Sequence, residues 1–251
     1  MAAEIVFSHR GRFANCYLLS GGRGFVLIDS GAAAEKASLV ARLTQHGCRP
    51  GTLRLVAVTH GDVDHVGNCA FFQAAYGAKI VMHPADRGMA ELGNVFWSRK
   101  CNTGVLRRLA EVSFELAGLG RLETFRPDAL VEDGQDLSDL GLEATVVHIP
   151  GHTKGSIGFL TTNRDFFCGD LLSNGKSPAR GFLVDDRPSF EQSVEKVKLL
   201  QARMVYPGHG RPFSGVGFEL RKQHIIPWLA KLAAQALRSD KKPRRREQRP
   251  P

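Results

Sequence analysis

From Gly24 to Pro84 the chain alternates short apolar runs with helix-patterned segments, and this order is the strongest constraint on its fold. Gly24-Phe25-Val26-Leu27-Ile28 reads as a buried strand entering a glycine turn at Asp29-Ser30-Gly31. Residues 33–46 set Ala37, Val40, Ala41 and Leu43 on one side of a helix that Gly47 stops. A second apolar run at 53–58 is followed by a helix over 70–76 and a third run at 79–82, closed by His83-Pro84. A β-α-β-α-β order predicts an α/β layer. Such sheets carry their reactive groups on the turns after their strands.

The turn after the second run reads Thr59-His60-Gly61-Asp62-Val63-Asp64-His65-Val66-Gly67-Asn68. His60, Asp62, Asp64 and His65 are four potential metal ligands within six residues. Three later positions repeat the theme: His152 in Pro150-Gly151-His152-Thr153, Asp170 in Gly169-Asp170 after the run 165–168, and His209 in Pro207-Gly208-His209-Gly210. Each sets a His or Asp beside glycine at an expected strand end. Glycine lets the backbone turn sharply there and leaves a short ligand exposed at the rim of a sheet. A pair of divalent ions needs about this many ligands, mixing imidazole and carboxylate.

With 251 residues and 43% apolar content, the chain can build a large core without disulfides, and its five cysteines contain no C-x-x-C pair. The net charge of +9 is unevenly placed: residues 238–251 hold +5, which leaves +4 for all the rest. That tail, with three prolines, is expected to be disordered, and no nucleic-acid-binding module accompanies it. The first residues lack a basic leader and no run approaches membrane-spanning length, so a cytoplasmic protein with a small-molecule substrate and no membrane partner is expected. Residues 1–237 are expected to form one domain, with 85–126 a helical insertion or lid in which Phe96, Trp97 and Phe114 are candidate pocket aromatics. Further strands are expected at 129–137, 142–149, 156–161, 165–168 and 204–206, with helices at 189–200, capped by Ser189, and at 217–237.

Together these motifs resemble the metallo-β-lactamase-fold hydrolases, in particular the glyoxalase II-like members. Their pattern is an aspartate after an early strand, then H-x-H-x-D-H, a glycine-flanked His, an Asp after a strand and a late His. The matching positions are Asp29, the segment His60 to His65, His152 in Gly151-His152-Thr153-Lys154-Gly155-Ser156, Asp170 and His209, in the same order over about residues 4–225. The resemblance implies an αββα sandwich, two mixed sheets flanked by helices, with a metal site at one edge. It also implies two divalent ions, one on His60, Asp62 and His152, the other on Asp64, His65 and His209, with Asp170 bridging. Asp29 would hold the free ring nitrogen of a ligand histidine.

Asp62 is the departure, standing where the pattern has histidine. With two divalent ions, Asp64 and Asp170 would leave +2, and Asp62 lowers this to +1. A weaker Lewis acid follows, and an oxygen-rich donor set moves preference from zinc, the expected metal, towards iron or manganese. The expected activity is hydrolysis of an ester, thioester or lactone by a metal-held hydroxide, with Asp64 also orienting the water. Lys176 and Arg180, just after Asp170, are candidates to hold an anionic substrate group. A non-haem iron oxidoreductase of the same fold is the alternative, and a nucleic-acid-acting protein that uses the basic tail is a further one.

Overall fold

The structure, a computed structural model, describes residues 4–10, 13–97, 99 and 122–221. Its strands in chain order are β1 (Glu4–Arg10), β2 (Asn15–Gly21), β3 (Gly24–Ile28), β4 (Leu53–Ala57), β5 (Lys79–Met82), β6 (Ala129–Leu130), β7 (Ala144–His148), β8 (Ile157–Thr161), β9 (Asp165–Asn174), β10 (Pro178–Arg180), β11 (Met204–Gly210) and β12 (Phe213–Ser214). The first six form one sheet in sequence order, antiparallel from β1 to β3 and parallel from β3 to β6. The second sheet has the order β12-β11-β9-β8-β7, with β10 hairpinned onto β9 and β11 parallel to β9. The α-helices are α1 (Lys36–Gln45), α2 (Val63–Val66), α3 (Cys69–Tyr76), α4 (Arg87–Leu92) and α5 (Arg187–Leu199).

Side-chain alternation along the strands divides the interior into layers. In β5, Ile80 and Met82 join Leu39 and Leu43 of α1 and Phe72 of α3 on the outer face of the first sheet. Val81, Leu55, Ala57, Val26 and Ile28 point the other way and meet Ala144, Val146, Phe159 and Phe167 of the second sheet. On the far side, Phe166, Cys168 and Val205 pack against Phe190, Val194 and Val197 of α5. The result is helix, sheet, sheet, helix, the predicted αββα sandwich. Each fully buried Leu or Phe in these layers contributes about 1.5–3 kcal/mol.

Several expected boundaries differ. The strand expected at 129–137 is only β6, because Gly134 takes a φ of +79° and turns the chain; Asp136 makes a single bridge to Thr145. The strand expected at 165–168 runs on to Asn174, because β10 folds back onto its second half. Likewise β11 continues to Gly210 with its register against β9 broken at Pro207, so Asp170 sits in the middle of a long strand and His209 one residue from the end of another. Helix α5 starts at Arg187 after Asp186, and Ser189 donates from Oγ to Asp186 Oδ2, so Ser189 is not the cap. Residues 217–221 are not helical. Residues 222–251, including the basic tail, and most of 98–121, including Phe114, lie outside the described residues. No helix among the described residues is long and apolar enough to cross a membrane.

Candidate metal centre

The turn after β4 enters α2 with Asp62 at the helix N-cap position, so Asp64 and His65 lie on the first helical turn. Ser30 anchors this segment by donating to the carbonyl of His65 from its backbone N, at 2.6 Å, and from Oγ, at 3.0 Å. The second sheet supplies the remaining groups: His152 from the turn after β7, Asp170 from β9 and His209 from β11. Asn15 Nδ2 and Tyr17 Oη, both on β2, donate to the carbonyl of Pro207 at 2.9 and 2.6 Å and tie the His209 segment to the first sheet. Gly208 has to be glycine, since a Cβ there would overlap Asp170 Oδ1 and lie 2.7 Å from His65 Cε1.

These residues converge. Donor atoms of His60, His152 and Asp170 all lie within 4.8 Å of one another, as do those of Asp64, His65 and His209. Asp170 links the two groups, with Oδ1 3.2 Å from His65 Nε2 and Oδ2 3.1 Å from His209 Nε2 and 3.9 Å from His152 Nε2. Asp62 Oδ2 lies 3.0 Å from His152 Nε2 and 3.7 Å from His60 Nε2.

The surrounding hydrogen bonds assign the protons on three of the rings. Asp29, on a backbone with φ +56°, accepts from Thr59 N and Thr59 Oγ1, each at 2.8 Å, and from His65 Nδ1 at 2.8 Å. Because the Thr59 hydroxyl proton goes to Asp29, His60 Nδ1 donates to Thr59 Oγ1 at 2.9 Å. His152 Nδ1 donates to the Phe182 carbonyl at 2.8 Å. In the neutral imidazoles, His60, His65 and His152 therefore each turn a bare Nε2 lone pair inward.

Bare nitrogens facing carboxylates at 3.0–3.7 Å repel unless positive charge lies between them. His60 Nε2, His65 Nε2 and Asp170 Oδ1 are buried without a hydrogen-bond partner, which natural interiors rarely tolerate. Burial, joined by His65 and His152, pushes His60 well below the usual imidazole range. Burial would lower His65 and His209 too, but the surrounding carboxylates, Asp170 foremost, together outweigh it and raise both. The same burial would raise Asp170, yet His209 and His65 hold it well below the usual carboxylate range. Such a donor set fits divalent cations, with imidazole and carboxylate both present.

Two groups at the site were not singled out by the sequence reading. Arg99 Nη2 donates to Asp62 Oδ1 at 2.6 Å with its side chain 8% exposed. Asp86, fully buried, accepts from Gly61 N at 3.1 Å, Thr153 Oγ1 at 2.7 Å and Gly155 N at 2.8 Å, and so joins the loops that carry His60 and His152. The proposed substrate contacts are not brought to the centre in the same way. Glu191 engages the Arg180 guanidinium through Nε and Nη2, and Lys176 is exposed. Phe96 is buried with Val63, Met89 and Val95, whereas Trp97 packs one side of its ring on Gly88 and leaves 42% of its surface exposed. Cys16, Cys48, Cys69 and Cys168 are free and buried, and burial raises each thiol above its ordinary range, which makes them inert.

Comparison with known proteins agrees with this geometry. An uncharacterized protein of Mycobacterium tuberculosis is 29% identical over 229 residues, which cover 86% of this chain and 94% of that protein. The hydroxyacylglutathione hydrolase GloC of Haemophilus influenzae is 26% identical over 218 residues, covering 84% and 92%. A solved structure, TTHA1623 in a di-iron-bound form, superposes with a TM-score of 0.65 at 27% identity and covers 84% of this chain and 95% of its own. The sequence profile of the metallo-beta-lactamase superfamily, whose members are mostly hydrolases that bind divalent metal, matches residues 9–209. On this match, and on a fold and donor set that agree with it, the chain belongs to the metallo-beta-lactamase superfamily.

Proposed function

We propose that the protein is a hydrolase with a binuclear divalent-metal centre that cleaves a small thioester or a related ester or lactone. The observation that carries this reading is the convergence of inward-facing, partnerless donor atoms at His60, His65 and Asp170. His60, Asp62 and His152 would hold one ion and Asp64, His65 and His209 the other, with Asp170 shared. Asp29 orients His65 directly and His60 through Thr59. The chemistry supplied by bound divalent ions is Lewis acidity, which lowers the pKa of water and offsets charge on a carbonyl oxygen.

Asp64 has the most exposed side chain of the three aspartates in the cluster, 20% against 13% for Asp62 and 8% for Asp170, which favours it as the group that meets incoming water. Asp64 aims the water and takes up its proton. The water oxygen bonds to the carbonyl carbon, the C–S bond breaks, and the thiolate leaves with the proton that Asp64 returns. A thioester is favoured because GloC acts on hydroxyacylglutathione, which is one. The four free, buried thiols suit a reducing cytoplasmic setting.

Zinc is the metal we favour. A second reading, a non-haem iron oxidoreductase, is supported by the oxygen donor of Asp62 and by the di-iron-bound form of TTHA1623. Elemental analysis of untagged protein purified without added metal, followed by turnover on a panel of thioesters, esters and lactones, tests both. Two zinc ions and chelator-sensitive thioester hydrolysis are expected. Iron with oxygen consumption and no hydrolysis would favour the second reading, and hydrolysis indifferent to chelators would refute the first.

A further inference from the structure

Asp62 divides its two oxygens between opposite tasks. Oδ1 accepts from Arg99 Nη2 at 2.6 Å, whereas Oδ2 faces His152 Nε2 at 3.0 Å and His60 Nε2 at 3.7 Å. The side chains are 13% and 8% exposed, so their charges are little screened by water. A guanidinium hydrogen-bonded to one carboxylate oxygen occupies that oxygen and leaves the other as the free donor. Burial alone would raise the Asp62 carboxyl, and Arg99 is the first of the groups that keep it ionised.

We propose that Asp62 and Arg99 act as one neutral donor unit, in which Arg99 is a positioning residue that confines Asp62 to single-oxygen donation and cancels its charge. This rests on the metal-centre reading above. Its consequence is that the site keeps the net charge it would have with a neutral imidazole at position 62, while still offering an oxygen. The lower charge inferred from Asp62 alone in the sequence is therefore offset by a residue 37 positions away. Any tuning of metal choice by Asp62 then acts through donor hardness and not through charge.

A double-mutant cycle on the full-length protein tests the unit, with zinc affinity measured by competition against a chromophoric chelator and no substrate present. Asp62→His alone removes the carboxylate that Arg99 donates to, sets an imidazole beside the guanidinium and the ions, and lowers zinc affinity about tenfold or more. Arg99→Leu alone frees the second oxygen and the full negative charge, which lowers the melting temperature of the metal-free protein and enlarges the rise on adding zinc. Arg99→Lys keeps the charge and stays within about threefold of wild type in affinity, which separates charge from mere packing. The double variant Asp62→His/Arg99→Leu exchanges one neutral unit for another and returns zinc affinity to within about threefold of wild type.

Additive effects, with the double variant no better than Asp62→His, would overturn the unit while leaving the metal centre standing. Wild-type protein that binds no zinc, manganese or iron would overturn both.

Discussion

Asp86 and Thr153 lie 67 residues apart in the chain, yet Thr153 Oγ1 donates to Asp86 Oδ2 at 2.7 Å. Since the same carboxylate also accepts from Gly61 N and Gly155 N, it pins the loop of His60 against the loop of His152. Asp86→Ala would strand three buried donors and cost about 3 kcal/mol or more. Asp86→Asn, with one acceptor oxygen in place of two, should cost about 2 kcal/mol. Urea denaturation gives the stabilities, and metal content should fall in both variants; unchanged metal content would show that the brace does not set ligand geometry.

His65→Ala and Asp170→Ala remove groups that face both halves of the cluster. Each should lose most of the bound metal and reduce turnover about a thousandfold or more. Elemental analysis paired with steady-state kinetics checks this, and a fully active variant of either kind would refute the site.

Stripping the metal should leave the carboxylates of Asp64 and Asp170 without the counter-charge of the ions. At metal concentrations of about a hundred times Kd, binding to the folded state alone is worth about 2.7 kcal/mol, so chelation should lower Tm by about 5–10 °C and re-addition should restore it. Scanning calorimetry with and without chelator provides the comparison. A Tm indifferent to metal would mean that the folded chain holds none.

Away from the centre, His83 stacks on His148 with ring centroids 4.3 Å apart and accepts a hydrogen bond from Ala85 N at Nδ1. Burial, joined by His148, pulls His83 down from 6.5 to about 4. The unfolded chain therefore binds the extra proton first as pH falls, so stability from this group is fully present above pH 6.5 and is lost towards pH 4. Because the ring is only half-buried, the loss is limited to about 1 kcal/mol. His83→Gln should flatten that part of the stability profile in urea titrations at pH 4.5 and 7; an unchanged slope would exclude His83 as its source.

The parts of the site legible in the sequence were those in which ligand type and backbone need coincide locally. His60, Asp62, Asp64 and His65 fall on one strand-to-helix turn, and His152, Asp170 and His209 each carry glycines that close packing demands, as Gly208 does against Asp170. Arg99 was not legible, because a single arginine in a stretch without periodicity carries no sign of the carboxylate it will meet. Asp86 was hidden in the same way: its partners are two backbone amides and a hydroxyl, which no spacing rule points to. Boundaries failed where tertiary pairing overrode local signals. Gly169 reads as a strand end, yet β10 recruits the residues beyond it into β9. Gly134 does the reverse, turning the chain inside a stretch that reads as one strand.

The seven donor groups are split between the sheets, His60, Asp62, Asp64 and His65 from the first and His152, Asp170 and His209 from the second. During synthesis the first four emerge long before the last three, and the His209 segment is not held against the first sheet until the Pro207 carbonyl reaches Asn15 and Tyr17. Pairings over nearly two hundred residues close late and slowly in folding. Metal capture would therefore report the final docking of the two halves, and a chain stalled before that step would lack the His209 side of the site.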